Sequence, residues 1–585
     1  MKSEAGAKPP ESFLSAFAVR LSQLVVVLSL TAGIILRIIA LDAVPPGLHH
    51  DEACNGYDAY SILLTGRDHH GNFLPIAIEA FGDYRPPIFD YSLVPLIGAF
   101  GLKPAVVRLG AALWGSVDLA ATIGLAGLML GWPGAAAAAA LGALSPWHLA
   151  FSRFGQEAIT GSATATLAFL CFFAWLSKRK FGYLILSAVL IGVSLYSYSV
   201  VKLFTPLMLG LLTVLYWREL KQAWPKPLIA LGVIAIIAIP QIGLTLRHPA
   251  EMQARYNQMS LFDYMANCPG CTPAVSNDST LAQVENFTAN WAGYFSPSYL
   301  FLTGDRGDHW AMLHPQGFGQ LLPEQAPLIA LSLIGLLGAR RRRIVILLAG
   351  WLAIAAIPAA LTVPSGAWQP ESGLPTPFVF MDRPIPNVPL TPGLLYSHPD
   401  SRRDALAMTP WTLLSAVGFV VLLELTASSA VLTTVVAVVF AAGTIFHGAR
   451  FLRSYFHDYP TQAAPYFQYG LEQAIAQTQK FGAGRRPVVI TDRVQMPYIY
   501  VLFFERYPPD LFQREQVDYV PHNPGSSLYD SVTHFDGFVF GNPEVGYLRF
   551  PRGVFVFPGR QAPPVPPVAS IQYPDGSTAY NILIK

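Results

Sequence analysis

The sequence predicts a polytopic α-helical membrane protein carrying a small α/β domain at its C-terminal end, and three observations support that class. The 585 residues are 52% hydrophobic and only 13% charged, against the ~25% charge of ordinary soluble domains. Mean hydropathy is +0.40. Apolar runs approaching the ~20 residues that cross a ~30 Å hydrocarbon core recur along most of the chain. Beyond residue 447 they give way to short strand-like runs punctuated by Pro and Gly.

The candidate spans are 21–41, 108–130, 133–149, 158–176, 181–198, 203–217, 227–246, 326–339, 344–361, 410–425 and 428–446, about eleven crossings. The first is long enough to stay as an anchor and is not read as a cleaved signal peptide. The alanine run 135–140 offers the small residues on which membrane helices pack closely. Segment 88–100 is short, contains Asp90 and Pro95, and follows Pro86 and Pro87. Basic clusters at Lys178, Arg179 and Lys180, at Arg218, Lys221 and Lys226, and at Arg340 to Arg343 should be cytoplasmic. If Lys2, Lys8 and Arg20 are cytoplasmic too, an even number of crossings precedes Lys178, so 88–100 is expected to lie along the outer interface.

The same parity places loops 42–107, 247–325 and 362–409 outside, together with 145–157 and everything after 447. The chain thus divides into a membrane domain, 1–447, and an extracytoplasmic α/β domain, 448–585, with a helix at 464–480 and strands at 487–491, 537–541 and 553–557. The expected location is multi-pass in a bacterial cytoplasmic membrane, with the site and the C-terminal domain facing outward. Net charge is +2, which says little where placement of Lys and Arg matters more. No nucleic-acid partner is expected.

Residues 45–87 gather ionisable groups at the mouth of the first span, where they are expensive and need a use. Asp51 is a candidate catalytic acid, and Glu52 and Arg153 are candidate substrate contacts; Asp51 or Glu52 could instead be an N-terminal cap of an interfacial helix. Asp83 is either a third acid or a cap on the turn before the prolines. Arg85 reads as a phosphate contact or a headgroup anchor, with Tyr84 beside it. Glu157 is a second-loop acid, or the partner of Arg153 four residues earlier. His49, His50, His69 and His70 form two pairs for which interfacial hydrogen bonding is preferred over metal binding. Asp305 and His309, ahead of a span, read as sugar contacts or loop structure. Tyr196, Tyr198 and Lys202 sit near an outer helix end, where aromatic belts are ordinary. The Cys268–Cys271 CxxC is a local disulfide, a redox pair or half a zinc site; with no second CxxC, the disulfide is preferred.

HHDEACNGYDAY after the first span, GDYRPP at 82–87, SPWHLAFSR with its following acid, and TGDRGDHW at 303–310 occur in series. Together they resemble the GT-C class of membrane glycosyltransferases, specifically the group of protein O-mannosyltransferases and lipid A aminoarabinose transferases (glycosyltransferase family 39-like). The likeness covers roughly 21–425. It implies transfer of a sugar from a polyprenyl-phosphate donor on the outer leaflet to a protein, lipid or polysaccharide acceptor. It also implies Asp51 as base, Arg85 as lipid-phosphate contact and Glu157 as second acid. Two departures stand: Tyr84 separates Asp83 from the basic residue, and the second acid is Glu where Asp is common.

The chemistry is coherent without the family. An attacking hydroxyl must lose its proton, which a carboxylate can accept. A lipid-phosphate leaving group needs a cation, which Arg supplies as a permanent bidentate charge. A single inverting displacement is favoured, and no metal cofactor is expected, with a divalent ion left open. The rival reading is a lipid-linked-glycan flippase or transporter, against which the absence of paired sequence halves counts.

Overall fold

The computed structural model describes residues 13–260, 280–305, 313–362, 399–482, 487–515, 517–523 and 526–585. Helix forms at each expected apolar run, and among the described residues seven helices are long and apolar enough to cross a membrane. The protein is a multi-pass integral membrane protein with a C-terminal α/β domain.

The first span, α1 (Phe13–Ile38), packs on α4 (Pro104–Leu144). Small residues allow close approach: a Cβ added at Gly33 would lie 2.7 Å from Leu119 Cδ2 and 3.2 Å from Ala143 Cβ. Those two partners belong to different halves of α4, which breaks at Gly131 with φ 78° just before Trp132 and Pro133. Left-handed backbone that glycine alone adopts freely, followed by proline, ends one span and starts the next. The two halves correspond to the expected spans 108–130 and 133–149. The next span, α6 (Ala158–Lys178), is mostly buried between α4 and Phe181–Ser194.

Helices Phe181–Ser194 and Val201–Leu215 are shorter than their apolar runs, and Gln325–Ser332 tightens into a 3₁₀ turn at Leu333–Leu337. Segment 88–100 forms α3 (Ile88–Phe100), 13 residues or ~20 Å at 1.5 Å per residue, too short for a ~30 Å core. Its Phe89, Leu93 and Ile97 are buried, and Leu93 fills the space left by Gly110 of α4.

The segment after the first span begins with α2 (His50–Thr65), closed by Gly66 at φ 71°. A hairpin follows, β1 (Ile78–Ala80) against β2 (Asp83–Arg85), with Ile78 opposite Arg85. In the C-terminal domain the expected strands form the centre of one sheet: Val488–Ile490 lies parallel to both Phe538–Phe540 and Val554–Pro558. Thr578–Ile584 extends it antiparallel to Val554–Pro558. The helix expected from 464 begins only at Leu471, because Gly470 at φ 87° interrupts it.

This domain sits on the first loop. Leu48 N donates to Phe467 O at 2.6 Å, Tyr57 OH to Tyr507 O at 2.8 Å, and Asp530 N to Phe81 O at 3.1 Å. At the other end of the bundle Arg341 pairs with Glu424, and Arg343 Nη1 donates to Glu219 Oε1 at 2.7 Å.

Candidate active site

The first turn of α2 is built by a capping box. His49 N donates to Glu52 Oε2 at 3.1 Å, and Asp51 N donates to His49 Nδ1 at 3.2 Å. This turns Glu52 inward, where Arg108 of α4 grips it through Nε (2.8 Å) and Nη2 (2.9 Å) while Gly155 N donates to Oε1 at 3.0 Å. Arg108 also donates to the carbonyls of Leu41, Pro45 and Gly47. Both side chains are fully buried. Glu52, expected to bind substrate, is therefore consumed in fastening the end of α1, α2, α4 and the second loop together.

Arg153 is corrected in the same way. Its guanidinium donates to the carbonyls of Leu36, Arg37, Ile39, Ala40 and Val44, and stacks on Tyr455 and Phe456. It caps the C-terminal end of α1, whose last carbonyls have no intrahelical donors. The expected pair with Glu157 does not form in the way helical spacing would make it, because residues 152–157 leave the helix.

Asp51 takes the opposite course. Its carboxylate is partly exposed, accepts from Gln156 Nε2 at 3.1 Å, and lies 3.5 Å from both His49 Nδ1 and His50 Nε2. Burial would raise its pKa, but the charges of His50, His49, Arg85 and Arg402 outweigh that and hold it at about 2. Glu157, at the residue before α6 and making no side-chain cap bond, goes the other way: burial pushes it up to about 7, against the pull of Arg85 and with the charges of Asp51 and Asp83 adding to the rise. Asp83 accepts from Tyr84 N at 2.7 Å and faces Lys202, whose pKa burial lowers. Tyr84 is turned toward Glu79, and burial with that carboxylate raises its hydroxyl to about 12.

Arg85 is buried beneath this group. It donates to Asn55 Oδ1, to Cys54 Sγ at 3.3 Å and to Asp58 Oδ2 at 3.5 Å, and it feels the charges of Asp90 and Glu157. The structure thus brings together Asp51, Arg85, Glu157 and Asp83. Asp305 stands apart from them, accepting from Gln320, from Ser401 N at 2.9 Å and from the Ser401 hydroxyl, so it holds the segment around Asp400–Asp404 in place. His309, Cys268 and Cys271 lie outside the described residues.

The imidazoles do come into metal-binding range. One atom each of His49, His50 and Asp51 fall within 4.8 Å of one another, as do those of Cys54, Asp58 and His69. Residues absent from the sequence reading include Asn55, Asp58, Arg108 and Arg402. Asn55 and Asp58 had a local signal, since 51, 54, 55 and 58 recur at helical spacing on one face. Arg402 had none, being brought to Asp51 from a distant loop.

Residues 84–242 match the family model described as dolichyl-phosphate-mannose-protein mannosyltransferase, a stretch that contains Arg85 and Glu157. The chain resembles that family, as its motifs do. Among solved structures, ArnT from Cupriavidus metallidurans bound to undecaprenyl phosphate is similar at 14% identity, over 83% of this chain and 85% of that one, with a TM-score of 0.47. The oligosaccharyltransferase AglB from Archaeoglobus fulgidus, in complex with an inhibitory peptide and a dolichol-phosphate, is similar at 12% identity over 83% of this chain, with a TM-score of 0.49. Only 64% of that AglB chain is covered. No curated protein is detectably similar in sequence.

Proposed function

We propose that the chain is a glycosyltransferase moving a sugar from a polyprenyl-phosphate carrier to an acceptor on the outer face of the membrane, with Asp51 as general base. One observation carries this reading: a partly exposed carboxylate, Asp51, held by Gln156 and two imidazoles, shares its surroundings with a buried arginine, Arg85, and a second carboxylate, Glu157, whose burial favours its proton while Asp51 is held ionised. Such a split divides acid from base roles between like groups. The family match over the segment holding Arg85 and Glu157 supports it.

In this reading the acceptor hydroxyl attacks the anomeric carbon as the bond from that carbon to the phosphate oxygen breaks. The hydroxyl proton goes to Asp51, and polyprenyl phosphate leaves with its charge on Arg85. An anionic donor on Arg85 weakens the cationic field that both carboxylates feel. Asp51 then rises toward a useful base strength while staying ionised, and Glu157 stays protonated to donate a hydrogen bond to sugar or acceptor. Inversion follows from a single displacement. Asp83 and Lys202 lie close enough in the same region to feel each other's charge.

Incubating the purified protein with radiolabelled polyprenyl-phosphate sugar and candidate acceptors tests the proposal. Release of polyprenyl phosphate matched by labelled product is expected. Intact labelled lipid merely changing leaflet would make the chain a flippase.

A further inference from the structure

Arg85 is held by one face of α2. Cys54, Asn55 and Asp58, at spacings of one and four residues, take its two terminal nitrogens. Asp58 is anchored from its other side: His69 Nδ1 lies 2.6 Å from Oδ1, and His69 N donates to the same oxygen at 3.0 Å. Cys54 Sγ donates to Asp58 Oδ2 at 3.4 Å. Cys54, Asp58 and His69 are all buried. Arg85 Nε is buried and has no partner among the described residues.

Cys54, Asp58 and His69 have the composition of a metal site, yet Arg85 Nη2 is already 3.3 Å from the sulfur and 3.5 Å from the carboxylate. A permanent positive charge occupies the place a cation would take. The cluster holds a guanidinium, and three of its five N–H donors are spent on it.

We propose that Asp58 is a positioning residue: through Arg85 Nη2 on one side and His69 on the other, it fixes the guanidinium in the one orientation in which it meets the phosphate of the lipid donor. This rests on the reading that Arg85 takes that phosphate. Arg side chains have many rotamers, and a bidentate contact needs one of them selected beforehand. Asp90 and Glu157 also act on the Arg85 charge through space.

The test measures polyprenyl-phosphate binding and donor and acceptor KM on the full-length protein in detergent. Arg85→Ala is expected to weaken binding about 100-fold and Asp58→Asn about tenfold, the latter with donor KM raised and acceptor KM unchanged. The Arg85→Ala, Asp58→Asn double variant should bind no worse than Arg85→Ala, because a residue acting through another adds nothing once that one is gone. Wild-type donor binding in Asp58→Asn, or losses that multiply in the double variant, overturns the proposal. Unchanged binding in Arg85→Ala overturns instead the phosphate assignment beneath it. If Asp58→Asn does not fold, Cys54→Ser and His69→Gln carry the same cycle. Each should raise donor KM a few-fold, and an effect persisting on the Arg85→Ala background contradicts the account.

Discussion

Asp51 and Glu52 are neighbours on the first turn of α2, and the fold treats them oppositely. Glu52 is fully buried, gripped at both oxygens by Arg108 and bonded to Gly155 N. Asp51 keeps 19% of its side chain exposed, faces two imidazoles and feels two arginines, and has Gln156 as a neutral donor. The first carboxylate has no capacity left for a ligand. The second is partly exposed, beside two imidazoles and within the field of two arginines, and is left able to take a proton from a ligand. Completeness of pairing, and not mere burial, separates scaffold from site here. Arg153 and Arg85 differ in what holds them: the first is taken up by backbone carbonyls around the end of α1, the second by side chains on one face of α2.

The largest effect should come from breaking the saturated pair. Glu52→Ala leaves Arg108 as an uncompensated buried charge and should cost about 3–5 kcal/mol, read as a large drop in melting temperature of the detergent-purified protein. Unaltered melting would mean the pair is not the fastener described. The next effect lies in the site: Arg85→Ala should lower melting less than Glu52→Ala, because His69 still pairs with Asp58, while turnover falls about 100-fold and donor KM rises, and Arg85→Lys should recover only part, since a point charge replaces the fork. Full recovery by lysine would remove the argument from geometry.

Glu157 gives a smaller, pH-dependent effect. Its folded value of about 7 lies above the ordinary 4.5, so the fold favours the proton. Its stabilising contribution is complete below 4.5 and is lost as pH rises through about 7. Above that, a new negative charge beside the donor phosphate should raise donor KM up to about tenfold. Glu157→Gln should flatten the profile, and a profile left unchanged by that substitution would assign the titration elsewhere.

Much of this was legible in the sequence, for identifiable reasons. The spans were, because an apolar run in a bilayer must close its hydrogen bonds as helix, and even the break at Gly131 is written as Gly-Trp-Pro. Asp51, Arg85 and Glu157 were readable as motif residues. The division of labour between Asp51 and Glu52 was not, because it depends on Arg108 arriving from α4. The i to i+4 reading of Arg153 with Glu157 assumed a continuous helix, whereas α5 (Pro146–Phe151) ends before it. Arg402 reaches Asp51 only through the packing of the segment that Asp305 holds.

The central claim is that Asp51 removes the acceptor proton, and the most direct measurement is transfer by Asp51→Asn alongside polyprenyl-phosphate binding by the same preparation. Asparagine keeps the size and the contact to Gln156 but cannot accept the proton. Transfer should fall by about 10²–10⁴-fold with carrier binding nearly unchanged. Near-normal transfer by Asp51→Asn, with loss in Asp83→Asn, would contradict the account and move the base to Asp83.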